Sequence, residues 1–410
     1  MGTHKSITVQ HAIPFVVDET LREGVERSPF PVSLSAKCAL LKKTVHAGIR
    51  EFIVGCGAEV PVVWEQVWKM KDSGELPSDV EPTFIVLLNC WEAAYENFKL
   101  PSYPRHWIEG TTFSFGMITY KESEATFDRA VAAFEGLGAR DFKASVLNNF
   151  RKGFSEGRYA EIVRQIDWAL RRGVNVIRIN DSVGALTPRI TTELASRLVS
   201  QYPGRTFCLH AHNDNGLALA NTLAAIEAGF QMVEGSLAGF GNRSGIAPLE
   251  QVVNLCVQHG IAIGRHPIDL KKLVAAARAA EEVFLAVPNV YRPVGGLFET
   301  VSNFGILNVP DFLETGDDNE YFVNYAGLHP TTIRRALERH APDVANTVND
   351  DELWAVVEAL RAEMEKTFDH SVQEYRQLIG RMLDFYRKRS YSTQVIADRA
   401  RTLLPQRSAA

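Results

Sequence analysis

The feature that most constrains the fold of this chain is a regular alternation of short apolar runs and longer helical patterns over its first 260 residues. Each apolar run has the length of a buried strand, and each is followed by a segment whose apolar residues have helical spacing. The predicted strands cover residues 13–17, 51–55, 83–88, 110–115, 141–145, 174–180, 206–210 and 231–235. The predicted helices cover residues 33–47, 60–71, 91–98, 122–136, 156–171, 189–200, 217–228 and 247–259.

Eight such units predict a (β/α)8 barrel, the TIM barrel, because alternating strands and helices form a parallel sheet with the helices outside it. An open doubly wound sheet is the alternative, but it normally carries a glycine-rich phosphate loop after its first strand. The comparable loop here, residues 239–245, follows the eighth unit. We therefore expect a barrel domain over residues 1–285, then an irregular segment and a mostly helical C-terminal region over residues 286–410.

The composition argues against several functional classes. A formal net charge of -5 is too mild and of the wrong sign for a nucleic-acid partner held by bulk electrostatics. No run of 18 apolar residues occurs, and the polar N-terminus has no secretory core, so we expect no membrane partner. The five scattered cysteines are typical of reduced thiols in a cytoplasmic protein.

Two polar clusters that follow predicted strands carry the chemistry. His210 and His212 lie two residues apart at the end of the seventh strand, so their side chains point the same way. Glu23 and Arg22 follow the first strand, where they indicate either a solvated turn or a carboxylate ligand with a cationic neighbour. Because the loops that leave the strands of a barrel meet at its carboxyl end, the two clusters converge. One carboxylate and two imidazoles predict a divalent metal site, whereas two ordinary loop histidines are the alternative.

Three motifs resemble those of a metal-dependent lyase and acyltransferase superfamily built on TIM barrels, the DRE-TIM metallolyases. Residues 18–24 match its Asp-x-Thr-Leu-Arg-Asp/Glu-Gly pattern, and residues 210–216 match His-x-His-Asn-Asp-x-Gly. Residues 181–184 match Asp-Thr-x-Gly with one exchange, Ser182 for threonine. The superfamily includes homocitrate, isopropylmalate and citramalate synthases and hydroxymethylglutaryl-CoA lyase, and the sequence is most similar to the synthase branch.

The resemblance implies a metal-dependent condensation. Glu23, His210 and His212 would bind a divalent metal (Mg, Mn, Zn or Co), and Arg22 would stabilise negative charge on a keto oxygen. The substrates would be a 2-oxo acid, which chelates the metal, and an acyl-CoA co-substrate, most simply acetyl-CoA. The product would be a 2-hydroxy-2-alkyl dicarboxylate.

Further residues are assigned by the same resemblance. Lys143, Ser145 and Ser182 match strand-end positions that hold substrate carboxylates, although ordinary polar residues of a barrel mouth are as good an interpretation. His329, in a sequence similar to the synthases' Ser-Gly-Ile-His, would be the base that accepts the acyl donor's α-proton, or else a solvated histidine at a helix start. The synthases also imply a homodimer in which residues 287–329 of one protomer cover the barrel mouth of the other.

The sequence departs from the family at several polar positions. Val54 stands where we align the second-strand glutamate of an Ile-Glu-x-Gly pattern. In the glycine loop, Asn242 replaces a glutamate and Ile246 replaces an asparagine, and Leu147-Asn148 replaces Glu-Asp after strand 5. The half of the site that would activate an acyl-CoA is therefore altered. Two alternatives stay open: a metal-dependent C–C lyase or aldolase acting on a hydroxy acid or hydroxyacyl-CoA, and an inactive relative that acts as a binding subunit.

Overall fold

The computed structural model describes residues 12–100, 103–117, 123–148, 150–296, 323 and 325–404. Eight parallel strands form a closed barrel in which each strand pairs with the next and β8 pairs with β1. The strands are β1 (Phe15–Asp18), β2 (Glu51–Cys56), β3 (Glu81–Leu87), β4 (Thr112–Met117), β5 (Asp141–Asn148), β6 (Val176–Asp181), β7 (Thr206–Ala211) and β8 (Met232–Gly235). The predicted TIM barrel is confirmed.

Helices follow the strands in the order that the sequence predicts. They are α1 (Thr20–Arg27), α2 (Leu34–His46), α3 (Val62–Asp72), α4 (Trp91–Phe98), α5 (Arg105–Glu109), α6 (Glu124–Leu137), α7 (Glu156–Arg171), α8 (Pro188–Gln201), α9 (Ala218–Glu227), α10 (Leu249–Gln258) and α11 (Leu270–Val283). Helix α1 was not predicted, and it carries both Arg22 and Glu23. Glu23 therefore lies in the first turn of a helix just beyond β1.

The strands are buried on both faces, which is typical of a parallel barrel. Their outward side chains pack against the helices, and Phe113 and Phe115 of β4 are fully buried there. Burial of each such ring contributes roughly 1.5–3 kcal/mol to folding. Alternate residues form a separate, smaller apolar cluster inside the barrel: Val17, Ile53, Ile85, Cys208 and Met232. Phe15, Leu87 and Val176 pack against this cluster, whereas Arg178 and Glu234 form a buried polar contact inside the barrel.

The chain divides into two compact units, Met1–Pro288 and Asn289–Ala410. The described helices of the second unit are α12 (Pro330–His340), α13 (Pro342–Ala345), α14 (Asp350–Arg387) and α15 (Thr393–Leu403). Helix α14 is continuous over 38 residues, and residues 368–370 contain neither proline nor glycine. Most of the predicted lid segment, residues 297–322 and 324, lies outside the described residues. Among the described helices, none combines the length and the apolarity needed to cross a membrane.

Candidate metal centre at the carboxyl end of the barrel

The carboxyl end of the barrel brings together the three predicted ligands. His210 and His212 project from the end of β7, and Glu23 reaches them from α1. The His210 Nε2 atom lies 3.3 Å from His212 Nε2 and 3.6 Å from Glu23 Oε1. One ligand atom from each side chain lies within 4.8 Å of the others, and all three residues are buried.

The glycine-rich loop of residues 239–245 orients the Glu23 carboxylate. Its Oε2 atom accepts a hydrogen bond from the backbone N–H of Asn242 at 2.9 Å, which leaves Oε1 facing the histidines. A Cβ atom at Gly241 would stand 2.9 Å from Glu23 Oε2, so a side chain there would displace the carboxylate. The bond to residue 242 uses only its backbone, and the asparagine side chain plays no part in it.

The same loop is tied to the loop after β7. Arg243 makes two hydrogen bonds to the Asp214 carboxylate, at 2.7 and 2.8 Å, and a third to the Ser182 carbonyl at 2.8 Å. Gly245 has φ +88°, and a Cβ atom there would lie 1.9 Å from the Gly239 carbonyl oxygen. Only glycine is compatible with this turn. The loop that carries Asn242, whose N–H binds Glu23, is therefore fixed relative to the loop that carries His212.

A buried ion network supports His210 from behind. Its Nδ1 atom lies 3.2 Å from Glu234 Oε2 and 3.3 Å from Glu19 Oε1. Arg178 bridges the same two carboxylates: its Nε lies 2.5 Å from Glu234, and its Nη2 contacts Glu19. The same Nδ1 atom lies 2.8 Å from Arg178 Nη2. The network therefore surrounds Nδ1 and fixes the ring, while Nε2 is the ring nitrogen that faces His212 and Glu23.

The electrostatics keep this network charged. Burial by itself would raise the pKa of Glu19, but the charges of Arg178, His210 and Arg22 hold that pKa well below its ordinary value. Burial likewise opposes the charge of Arg22, yet Glu19 raises the Arg22 pKa above its ordinary value. Arg22 stays cationic beside Glu23, which its Nη1 atom contacts.

His212 is held in its neutral form. Burial first, and then the charges of His210 and Arg243, lower the pKa of His212 to about 3. A neutral imidazole is the form that binds a metal. Its Nδ1 atom makes no hydrogen bond with the described residues.

The donor set fits a divalent metal. Neighbouring ligand atoms around such an ion, each about 2.0–2.2 Å from it, stand roughly 3 Å apart, and the Nε2–Nε2 separation of 3.3 Å is close to this spacing. Two buried oxygen atoms, Asn180 Oδ1 and Ser182 Oγ, make no hydrogen bond with the described residues. Asn180 is in register with His210, and Ser182 follows the end of β6. Unpaired buried acceptors at this end suit a polar occupant.

The predicted substrate residues are not all at this end. Ser182 lies beyond the end of β6, and Ser145 lies in the middle of β5, where its hydroxyl accepts a bond from Arg178 Nη1 at 3.2 Å. We expected Lys143 at a strand end beside them, and that position is wrong. Lys143 is the third residue of β5 and lines a cavity at the amino end of the barrel.

The structure also changes how the departures from the family are interpreted. Val54 packs in the outer core between the sheet and the helices, whereas Ile53 faces the barrel interior. A glutamate at residue 54 would point away from the metal centre, so Val54 is not the site position we took it for, and Ile53 is the inward one. Ile246 is 2% exposed and pairs through its backbone with His212. Its side chain offers no ligand atom.

Sequence reasoning missed the residues behind His210 and the neighbouring Asn180. Arg178 and Asn180 alternate with Ile177 and Ile179 along β6, so a charged residue in an inward register was the available signal. Glu19 stands at the variable position of its motif and therefore passed as unimportant. His329 belongs to the second unit, where it caps α12 by accepting a bond from Thr331 N–H at 3.3 Å.

The fold and these side chains define a class: TIM barrels with a candidate divalent-metal centre at the carboxyl ends of their strands. Residues 14–279 match the HMGL-like family, and the chain belongs to that family.

Individual comparisons agree with this membership. The chain is 36% identical over 341 residues to a homocitrate synthase of Sulfolobus acidocaldarius, a match covering 78% of this chain and 70% of the relative. It is 27% identical to the chloroplastic methylthioalkylmalate synthase 2 of Arabidopsis thaliana, over 66% of this chain and only 56% of the relative. The HMG-CoA lyase structure of Bacillus subtilis has a TM-score of 0.54 at 18% identity, covering 67% and 95% of the two chains, and shows the shared fold.

Proposed function

We propose that this protein catalyses a metal-dependent condensation of an acyl-CoA, in the simplest case acetyl-CoA, with a 2-oxo acid. The observation that carries the proposal is the convergence of Glu23 Oε1, His210 Nε2 and His212 Nε2 beside the Arg22 guanidinium. The homocitrate synthase and alkylmalate synthase relatives support the same reaction class. A divalent ion held by these three residues would act as a Lewis acid toward the keto oxygen of a 2-oxo acid.

The chain's own residues would supply the remaining contributions. Arg22 is held by Glu19 at 3.1 Å and stays charged, so it presents a fixed cation to an oxygen that gains negative charge. The Ser182 hydroxyl would donate to the carboxylate of the 2-oxo acid, and Asn180 Oδ1 would accept from water or a hydroxyl group. The buried setting of the ligands excludes bulk water, which strengthens each of these interactions.

We assign the proton transfer from the acyl donor to His329. Its Nδ1 atom accepts a bond from Thr331 N–H at 3.3 Å. To accept a proton at Nε2, the neutral ring would give up this bond and carry its own proton on Nδ1. Its ring also packs edge-on against Trp354, with centroids 5.4 Å apart, so its orientation is restricted. The homodimer with an exchanged lid belongs to the same proposal.

The reverse reaction, C–C cleavage of a hydroxy acid or hydroxyacyl-CoA, is the second candidate. The apolar Ile246 beside His212 favours cleavage of a hydroxy acid that carries no CoA, because the acyl-CoA half of the site lacks a polar group that the family normally has there. The ligand trio and Arg22 would serve either direction equally.

One assay separates these functions. The purified protein is incubated with acetyl-CoA and each member of a panel of 2-oxo acids, with Mg²⁺, Mn²⁺, Zn²⁺ or Co²⁺ and with a chelator, and thiol release is followed. Condensation predicts thiol release that requires one 2-oxo acid and stops with chelator and in His212→Ala. Release of a 2-oxo acid from a hydroxy acid, without thiol release in the first assay, would establish the lyase. No turnover in either direction would support the third alternative, an inactive relative that acts as a binding subunit.

A further inference from the structure

Helix α14 leaves a long apolar surface exposed. Its 38 residues extend roughly 57 Å, yet only Leu353 and Val357 are buried. The first turns are tied to the rest of their unit, since Arg361 donates to the Leu328 carbonyl at 2.9 Å and Tyr325 donates to Glu365 at 2.6 Å. Beyond them, large apolar side chains face solvent.

These side chains recur with the period of a coiled coil. We call them the α14 stripe: Met364, Phe368, Ser371, Tyr375, Leu378 and Met382, with Val372 and Ile379 alongside. The spacings alternate between four and three residues, the seven-residue repeat that makes two helices wind around each other. Phe368, Tyr375 and Leu378 are 66%, 63% and 64% exposed. A helix with this surface in water has too little packing to account for its length.

We propose that the α14 stripe pairs in antiparallel orientation with the same stripe of a second copy of this chain. The charges beside the stripe are self-complementary. Glu374 and Arg381 lie on one edge of it, seven residues apart. A two-fold axis near residues 376 and 377 places Glu374 of each copy opposite Arg381 of the other, so that two ion pairs flank the core.

Side-chain sizes agree with the same register. The antiparallel arrangement places Tyr375 opposite Leu378 and the small Ser371 opposite Met382, and each contact occurs twice. A parallel pair would instead place Ser371 against Ser371, a polar contact in the core, and Glu374 would face Ile379 with no basic partner. The antiparallel pair is therefore favoured by both charge and volume. This interface is independent of the proposed reaction.

Disulfide trapping of the full chain tests the pairing whatever other contacts the copies make. In the double variant Ser371→Cys/Met382→Cys, mild oxidation should give a covalent dimer, because each new thiol meets its counterpart on the second copy. Either single variant should not crosslink, since identical positions lie roughly 16 Å apart along an antiparallel pair. The control Ser371→Cys/Leu383→Cys, with the second cysteine off the stripe, should behave like the single variants.

Substitutions then test the chemistry of the interface. Adding Leu378→Glu to the crosslinking variant should weaken dimer formation on the order of 100-fold, because it buries a charge in the core. Leu383→Glu, the same change at a residue that is 43% exposed and off the stripe, should leave crosslinking unchanged. Glu374→Arg and Arg381→Glu should each weaken the dimer, and the two changes together should restore it.

Three results would overturn the proposal. Efficient crosslinking of Ser371→Cys alone would show a parallel pair. Absence of a covalent dimer in the double variant would show that another part of the chain, or nothing, covers the stripe. Equal effects of Leu378→Glu and Leu383→Glu would show that the stripe is not the contact.

Discussion

The two ends of the barrel are both lined by charged side chains, but the charges are organised differently. At the carboxyl end, Arg178 lies between Glu19 and Glu234, and all three are at most 5% exposed. At the amino end, a cavity of about 700 Å³ is lined by Lys143 and Arg265, among others. The Arg265 side chain is 35% exposed and pairs with Glu51 at 2.5 Å and Glu81 at 2.8 Å.

The difference shows what distinguishes a site from a charged surface. At the carboxyl end, the buried charges of Glu19, Arg178 and Glu234 pair with one another, and the network leaves the nitrogen and oxygen atoms of three ligands facing one another. At the amino end, Lys143 has no ion pair within 4 Å among the described residues, and the arginine pairs remain open to solvent. Convergence of buried donors, rather than the number of charges, marks the functional end.

The largest effect should come from removing a ligand. His210→Ala and His212→Ala should each lower the bound divalent metal from one ion per chain to near zero, because two ligands do not hold the ion against solvent. Lys143→Ala, at the opposite end, should keep the full metal content. Metal analysis by mass spectrometry measures all three. Unchanged metal in both histidine variants would remove these residues from the site.

The next largest effect should be on stability. Arg178→Met leaves Glu19 and Glu234 buried without their cation and should lower the free energy of unfolding by about 3–5 kcal/mol. Arg265→Met breaks a partly exposed pair at the other end and should lower it by about 1 kcal/mol or less. Urea unfolding followed by fluorescence compares the two. Equal losses of unfolding free energy in the two variants would contradict the view that only the carboxyl end holds a fully buried ion network.

A smaller effect is expected on the reaction itself. Arg22→Lys keeps the charge but loses the rigid guanidinium whose Nη1 atom contacts both Glu19 and Glu23, and should lower kcat on the order of 100-fold. Arg27→Lys, on the exposed side of the same helix, should retain activity. Steady-state kinetics with the active 2-oxo acid provide the measurement. A normal kcat with only a raised KM would show that Arg22 anchors substrate and does not act in the transition state.

The last prediction concerns the dependence of stability on pH. Burial raises the pKa of Asp18 to about 7, although its bonds from Thr20 oppose this. A raised folded pKa means that the contribution of Asp18 to stability is complete below about pH 4 and is lost as the pH rises to about 7. Asp18→Asn should remove up to roughly 1.4 kcal/mol per pH unit of that slope. Urea unfolding between pH 4 and 7 with chelator present tests it, and identical slopes would contradict it.

Glu51 sharpens this last comparison. Burial also raises its pKa, but Arg265 opposes the rise and the residue lies at the more open amino end. Glu51→Gln should therefore change the pH slope in the same direction and by less than Asp18→Asn.

The alternation of apolar runs with helical patterns was enough to predict the barrel fold from the sequence alone. Strand and helix periods are local properties, and eight repeats leave few ways to close a sheet. The convergence of Glu23 with His210 and His212 was predictable for the same reason, since a barrel brings the ends of strands 1 and 7 to one rim. The stripe on α14 is equally visible in the sequence, but its exposure is not.

Only the tertiary structure decided which face and which end each polar side chain occupies. The register of β2 shifts between Ile53 and Gly55, and a shift of one residue exchanges inward and outward side chains, as the comparison of Val54 with Ile53 shows. The height of Lys143 along the barrel axis depends on the residue at which β5 begins to pair with β6. The position of Arg178 between Glu19 and Glu234 joins three different strands or strand ends, and no local pattern specifies such a contact. Local periodicity sets which elements form, whereas strand register, a property of the closed barrel, sets what those elements bring together.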